Sequence, residues 1–341
     1  MVTHEFTMDE KLAFLRQPGA YPGKTDRVQV IETHMSWVFL TAAFAYKLKK
    51  PVKYRLLDLR ILDARFRNCR EEVLLNKRLA PDIYLGIIPL VADDRNTLSL
   101  EGKGQIVDWL VRMKRIAAGQ LLDQAIKYKT VRDAQLKKAA LLLATFYKTQ
   151  PAIPQGTGLY RSRLRADIQA IHRQLIQPRY HLPLQEVNQY TTSLQSFLTA
   201  NAGLFEDRAI KGHIRELHGD LRPEHICIGP HPAIIDCLEF SRMLRIQDTA
   251  DELAFLFMEC ELLGNDSVEK IFLSTYETTT GDRIPTGLLS FYKLKRCCLR
   301  AYLTVRHIIE PKYRNEPKWL AKANAYLRLA GLYRQQLDDG N

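Results

Sequence analysis

Alternating apolar and polar positions in the first third of the chain give way to a helical period over the rest. Period-two runs at 27–32, 36–41 and 44–49 predict three strands. An amphipathic helix over 59–79 follows, then two more strands at 83–91 and 106–113, with the turn Asp93-Asp94-Arg95-Asn96 between them. A short helix over 8–16 precedes this block. Beyond it, apolar residues recur every three or four positions at 121–148, 164–176, 184–204, 249–263, 268–279, 288–309 and 319–337. The expected class is α+β: five antiparallel strands with one helix, then a larger, mainly helical part. No internal repeat interrupts it.

One segment breaks the helical pattern. His218-Gly219-Asp220-Leu221-Arg222-Pro223-Glu224-His225 leads into the apolar run Ile226-Cys227-Ile228. The turn residues Gly229-Pro230-His231-Pro232 and a second run, Ala233-Ile234-Ile235, then close on Asp236. An antiparallel hairpin brings its open ends together, so Asp220 and Asp236 are expected across one small cleft. Two carboxylates so placed suit phosphoryl transfer, one orienting the attacking hydroxyl and the other holding a metal that bridges ATP phosphates.

A chain of 341 residues with 46% hydrophobic positions is long enough for two lobes. No apolar run approaches the roughly 20 residues of a membrane span. Met1-Val2-Thr3-His4-Glu5-Phe6 lacks the basic and apolar regions of a signal peptide, so a cytoplasmic protein without membrane partners is expected. The six cysteines have no zinc-like spacing and read as reduced core thiols. A net charge of +12 invites a nucleic-acid reading, but 38 acidic residues are interspersed with 50 basic ones and no nucleic-acid motif is present. A basic surface that attracts ATP or an anionic substrate is the better reading. Gly19-Ala20-Tyr21-Pro22-Gly23-Lys24-Thr25 imitates a P-loop, yet it has three residues between its glycines where that motif needs four.

The His-Gly-Asp segment, the apolar run closing on Asp236 and the stretch Asp248-Thr249-Ala250-Asp251-Glu252-Leu253-Ala254 resemble the aminoglycoside phosphotransferase-like branch of the protein-kinase-like fold. Within that branch the chain is similar to a bacterial group of uncharacterised aminoglycoside phosphotransferase family enzymes. The resemblance implies an N-terminal extension over 1–26, a kinase-like N-lobe over 27–115, and a helical C-lobe over 116–341 carrying a catalytic hairpin at 218–237. It implies ATP as cosubstrate, a small-molecule acceptor, Asp220 as the catalytic group and Asp236 as a metal ligand.

His225 stands where the family carries a metal-binding Asn. Because imidazole suits softer metals than Mg²⁺, this departure raises Mn²⁺ as the alternative and Glu224 or Glu239 as substitute ligands. Phe44-Ala45-Tyr46-Lys47 resembles the Val-Ala-Ile-Lys strand, so Lys47 is the expected phosphate clamp. Lys49, on the same strand face, competes with it. The partner carboxylate is expected to be Glu72, with Glu71 the alternative. The resemblance implies that backbone groups near Met113, Lys114 and Arg115 meet adenine. The phosphate-covering turn Glu32-Thr33-His34-Met35-Ser36 lacks glycine, and hydroxyls of Thr33 and Ser36 are expected to substitute. Asp248 is a good N-cap on local grounds, and the resemblance implies that it also supports the catalytic loop. Two function classes follow: an ATP-dependent phosphotransferase acting on a small-molecule hydroxyl, and a pseudokinase-like nucleotide-binding module.

Overall fold

The computed structural model describes residues 5–54, 57–156, 158–310 and 316–339. It divides into two compact units: Met1–Leu121 with His231–Met243, and Leu122–Pro230 with Leu244–Asn341.

The first unit is built on one antiparallel sheet. Its order is Gln29–Glu32, Ser36–Leu40, Phe44–Lys49, Gln105–Lys114, Tyr84–Ala92 and Leu98–Leu100. The expected five strands are therefore six. The Asp93 carboxylate accepts hydrogen bonds from the Arg95 and Thr97 N–H groups (2.9 and 2.8 Å), and Asn96 adopts φ 59°. That turn is tight enough to fold Leu98–Leu100 back onto Tyr84–Ala92.

The two sheet faces differ in chemistry. Phe39, Tyr46, Leu48, Ile88, Leu90 and Leu110 form an apolar core with Leu12 and Leu15 of the helix Met8–Leu15 and with Tyr21. This helix starts with a capping box between Thr7 and Glu10. A cap contributes about 1 kcal/mol, whereas burying each Leu contributes about 1.5–3 kcal/mol, so apolar packing decides where the helix sits. On the opposite face, register places Ser36, Val38, Lys47, Lys49 and Val111 together.

The helix Leu62–Asn76 packs there, with Phe66 against Trp109 (ring centroids 4.6 Å). It is shorter than expected and buries Arg65, Asn68, Glu72 and Asn76 along with Cys69 and Leu75. Such a polar face docks only if its charges find partners. Buried Asp108 provides one, accepting hydrogen bonds from Arg65 Nε and Nη2 (2.8 and 3.0 Å) and from Lys11 Nζ (2.9 Å).

The second unit is helical. The expected 121–148 helix is two, Leu122–Lys127 and Asp133–Thr149. Lys129 turns into the left-handed region (φ 55°), and the Thr130 N–H closes back on the Ala125 carbonyl at 2.9 Å. The expected 184–204 helix likewise ends at Ala200 and restarts as Ala202–Ile210. Leu159–Leu175, Ser267–Thr280, Thr286–Val305 and Lys318–Asp339 complete the shell. Thr249–Leu262 is buried on all sides from Thr249 to Cys260, as a central helix must be. All six cysteines are buried thiols outside any disulfide. Among the described residues no helix is long and apolar enough to cross a membrane.

Candidate functional site

In the first unit Lys47 stands at the centre of a charge cluster. Its ammonium donates to Glu72 Oε1 (2.8 Å) and to Asp236 Oδ1 (2.7 Å). Lys49 pairs with the other Glu72 oxygen and donates to Glu239 Oε1 at 2.6 Å. The two lysines do not compete for the helix carboxylate, because Glu72 takes both. Lys49 and Glu72 are fully enclosed, while the Lys47 side chain is 12% exposed and that of Asp236 44%. Glu71, one position along the helix, is only half-buried.

Electrostatics follow from that enclosure. Burial works to deprotonate Lys47, but the carboxylates of Asp236, Glu72 and Glu239 outweigh it and hold the ammonium well above its usual range. The same balance raises Lys49, through Glu239 and then Glu72. Burial works to raise Glu72, yet the two lysines hold it below the ordinary carboxylate range. All three groups are therefore charged at neutral pH.

Local backbone chemistry fixes Asp236. The residue adopts φ 60°, a left-handed conformation that a non-glycine residue keeps only when its surroundings hold it there. Here the Asp236 N–H donates to Tyr84 Oη (3.2 Å), and the Cys237 N–H donates to Asn76 Oδ1 (2.9 Å). Asn76 in turn donates to the Glu72 carbonyl at 2.8 Å. One helix thus positions both the Glu72 carboxylate and the segment that carries Asp236.

Other expected binding groups in this unit are engaged internally. The Thr33 hydroxyl donates to the Ser36 carbonyl at 3.0 Å and accepts from the Ser36 N–H at the same distance. Ser36 Oγ is buried on the lysine face of the sheet without a hydrogen-bond partner among the described residues. Met113 is buried in the ladder opposite Ala45 and Tyr84. The Lys114 and Arg115 N–H groups donate to the Ile83 and Ala43 carbonyls, both at 2.9 Å.

In the second unit Asp220 is set by its backbone. Its N–H donates to His218 Nδ1 (3.3 Å), and His225 Nδ1 bonds its carbonyl at 2.8 Å. Since a carbonyl can only accept, His225 donates to it from Nδ1. The Asp220 side chain is 34% exposed, and its nearest cationic atom, Arg222 Nε, lies 3.7 Å away. Arg222 pairs with Glu224.

The strongest support for the His-Gly-Asp loop comes from a residue the sequence did not single out. Buried Glu252 accepts from the Gly219 N–H (2.7 Å), the His218 N–H (3.3 Å), Gln247 Nε2 (2.7 Å) and Tyr147 Oη (2.7 Å). Burial leaves its carboxyl above the ordinary range despite these donors. Asp248, expected in that supporting role, caps Thr249–Leu262 through the Ala250 N–H (2.9 Å) and pairs with Arg208 Nη2 (2.6 Å). The signal for Glu252 was available: an acidic residue in a helix as apolar as Thr249–Leu262 must find donors once it is buried.

No family model matches the chain. It is 31% identical over 279 residues to the uncharacterised protein Rv2004c of Mycobacterium tuberculosis, covering 80% of this chain and 54% of that one. The chain thus spans about half the length of the curated relatives it matches. Among solved structures, a choline/ethanolamine kinase family protein from Mesorhizobium loti aligns with TM-score 0.53 and 16% identity over 97% of both chains. The GDP complex of wild-type aminoglycoside 2'-phosphotransferase-IIIa aligns with TM-score 0.54 and 14% identity, over 97% of this chain and 99% of that one.

Proposed function

We propose that this chain, which has the protein-kinase-like fold, is an ATP-dependent phosphotransferase acting on a hydroxyl of a small molecule. The observation that carries the reading is the Lys47 ammonium held between Glu72 and Asp236. A buried lysine kept charged by carboxylates on two separate segments is a fixed cation suited to phosphate oxygens. The nucleotide in the aminoglycoside phosphotransferase complex and the kinase neighbours support the reading at this general level.

Each proposed role follows from a local property. Lys47 binds ATP phosphates, and Glu72 orients it. Asp236 is the metal ligand, since its half-exposed carboxylate oxygens are hard donors that fit Mg²⁺ or Mn²⁺. His225 fits a metal through Nε2, because a ligating imidazole characteristically donates its other N–H to an acceptor such as the Asp220 carbonyl. A bound divalent cation would supply charge neutralisation at the phosphates. Asp220 orients the acceptor hydroxyl and takes its proton, with its loop fixed by Glu252. Adenine is proposed to lie near Met113.

A second reading is favoured by the phosphate-covering turn, where the Thr33 hydroxyl is occupied and that of Ser36 enclosed. It makes the chain a nucleotide-binding module with little turnover. ADP release in the presence of Mn²⁺, measured across a panel of hydroxylated acceptors, separates the two. Acceptor-dependent ADP release supports the phosphotransferase, and ATP binding with no release for any acceptor supports the binding module.

A further inference from the structure

Two lysines where one would serve as a phosphate clamp call for a division of labour. Lys47 and Lys49 point to the same sheet face, two residues apart, and each joins Glu72 to the segment after the second apolar run: Lys47 to Asp236, Lys49 to Glu239. The two rungs differ in access. Lys47 and Asp236 reach solvent, whereas the Lys49 side chain is fully enclosed and the Glu239 side chain is 9% exposed. Phosphate oxygens can approach the first rung and not the second.

We infer that Lys49 and Glu239 form a permanent charge bridge that positions the Asp236 segment while Lys47 exchanges Asp236 for nucleotide phosphate. The inference rests on the phosphotransferase-type reading of this cluster. Its physical basis is charge compensation. When Lys47 turns toward phosphate, Glu72 stays buried, and a buried carboxylate stripped of its cation is costly. Lys49 keeps Glu72 compensated throughout. It also holds Glu239, three residues beyond Asp236, so the left-handed turn at Asp236 keeps its place once Lys47 has let go. Lys49 and Glu239 are positioning residues, and Glu239 is a counter-ion for lysine instead of a metal ligand.

The test uses the whole chain and needs no acceptor: the affinity for ATP is measured with and without Mn²⁺, and the ratio gives the coupling between metal and nucleotide. Wild type must first bind ATP with Mn²⁺, because no binding at all rejects the parent reading and this inference with it. Given binding, Glu239→Gln is expected to cut the coupling about tenfold and leave metal-free affinity within about twofold, since Lys47 is untouched. Lys49→Met should cut the coupling similarly. A rise in coupling for Lys49→Met with a fall for Glu239→Gln would make Glu239 a direct metal ligand and overturn the inference. Tighter metal-free binding by Glu239→Gln would make Lys49 a phosphate cation and overturn it as well. Unchanged coupling with a lowered melting temperature would reduce the bridge to a stability element, also against the inference. Should Lys49→Met fail to fold, Glu239→Gln decides between unchanged coupling, tighter metal-free binding and the expected loss, and Lys49→Arg replaces the methionine variant in separating bridge from ligand.

Discussion

The backbones of Asp236 and Asp220 are both fixed by hydrogen bonds, but only the Asp236 carboxylate is also gripped by a lysine. The Asp236 carboxylate accepts from Lys47 at 2.7 Å inside a cluster of buried charges. Among the described residues the Asp220 carboxylate has no cationic atom closer than 3.7 Å, while its N–H and C=O are bonded to two histidines. The difference matches the roles proposed for the two groups. A carboxylate that serves a metal must be charged and replaceable at lysine, so an ion pair can keep its place. A carboxylate that accepts a proton works best with its oxygens uncommitted and its position set from behind.

Breaking the second arrangement at its reactive atom should have the largest effect. Asp220→Ala is expected to lower phosphoryl transfer by about 10²–10⁴-fold while leaving ATP affinity nearly unchanged. Steady-state rates beside calorimetric ATP titration check both halves, and full activity would remove Asp220 from the reaction. Lys47→Met tests the first arrangement and should slow turnover by about 10²–10³-fold, the range for loss of one preorganised donor to developing charge. ATP affinity should fall with it, in contrast to Asp220→Ala. Equal ATP affinities for the two variants would erase the distinction between the clusters.

These contrasts bear on how much the chain's own pattern disclosed. Period-two alternation put Lys47 and Lys49 on one face, and Glu72 was within reach of a helix placed over them. What the pattern could not say is that Glu72 forms ion pairs with both lysines, because that depends on the height of the helix over the sheet. The sixth strand escaped because Leu98–Leu100 is three residues long and gains its identity only by pairing with Tyr84–Ala92. Helices ran on too far at Lys129 and Asn201 because the backbone leaves helical geometry there without a Pro, and the glycine near Asn201, Gly203, lies inside the next helix. Glu252 was not singled out in the pattern, and its contacts to the His-Gly-Asp loop appeared only with the tertiary fold.

His225→Asn sharpens the comparison at smaller amplitude. With an amide oxygen replacing imidazole, the metal giving the faster reaction should shift from Mn²⁺ toward Mg²⁺, by about tenfold in the ratio of rates. An unchanged ratio would assign His225 to holding the Asp220 carbonyl alone. Glu252→Gln should cost about 1–3 kcal/mol of stability, because an amide cannot accept all the bonds the carboxylate accepts. The sign of its pH dependence is set by a folded-state carboxyl that titrates above its ordinary 4.5. Protonated Glu252 favours the folded state, and its contribution is complete below that value and lost as pH rises through the folded-state pKa. The stability advantage of wild type over Glu252→Gln is therefore largest near pH 4.5 and shrinks upward, as paired urea titrations across pH would record.

The central claim, a nucleotide-phosphate site organised around Lys47, is tested most directly by the melting temperature of the wild-type protein with ATP, in the presence and absence of Mg²⁺ or Mn²⁺. Binding to the folded state alone raises stability by mass action, by about 2.7 kcal/mol at a ligand concentration one hundred times Kd. The account predicts a rise with ATP that depends on the divalent cation and vanishes in Lys47→Met. No rise with either metal, or an equal rise in Lys47→Met, would contradict it.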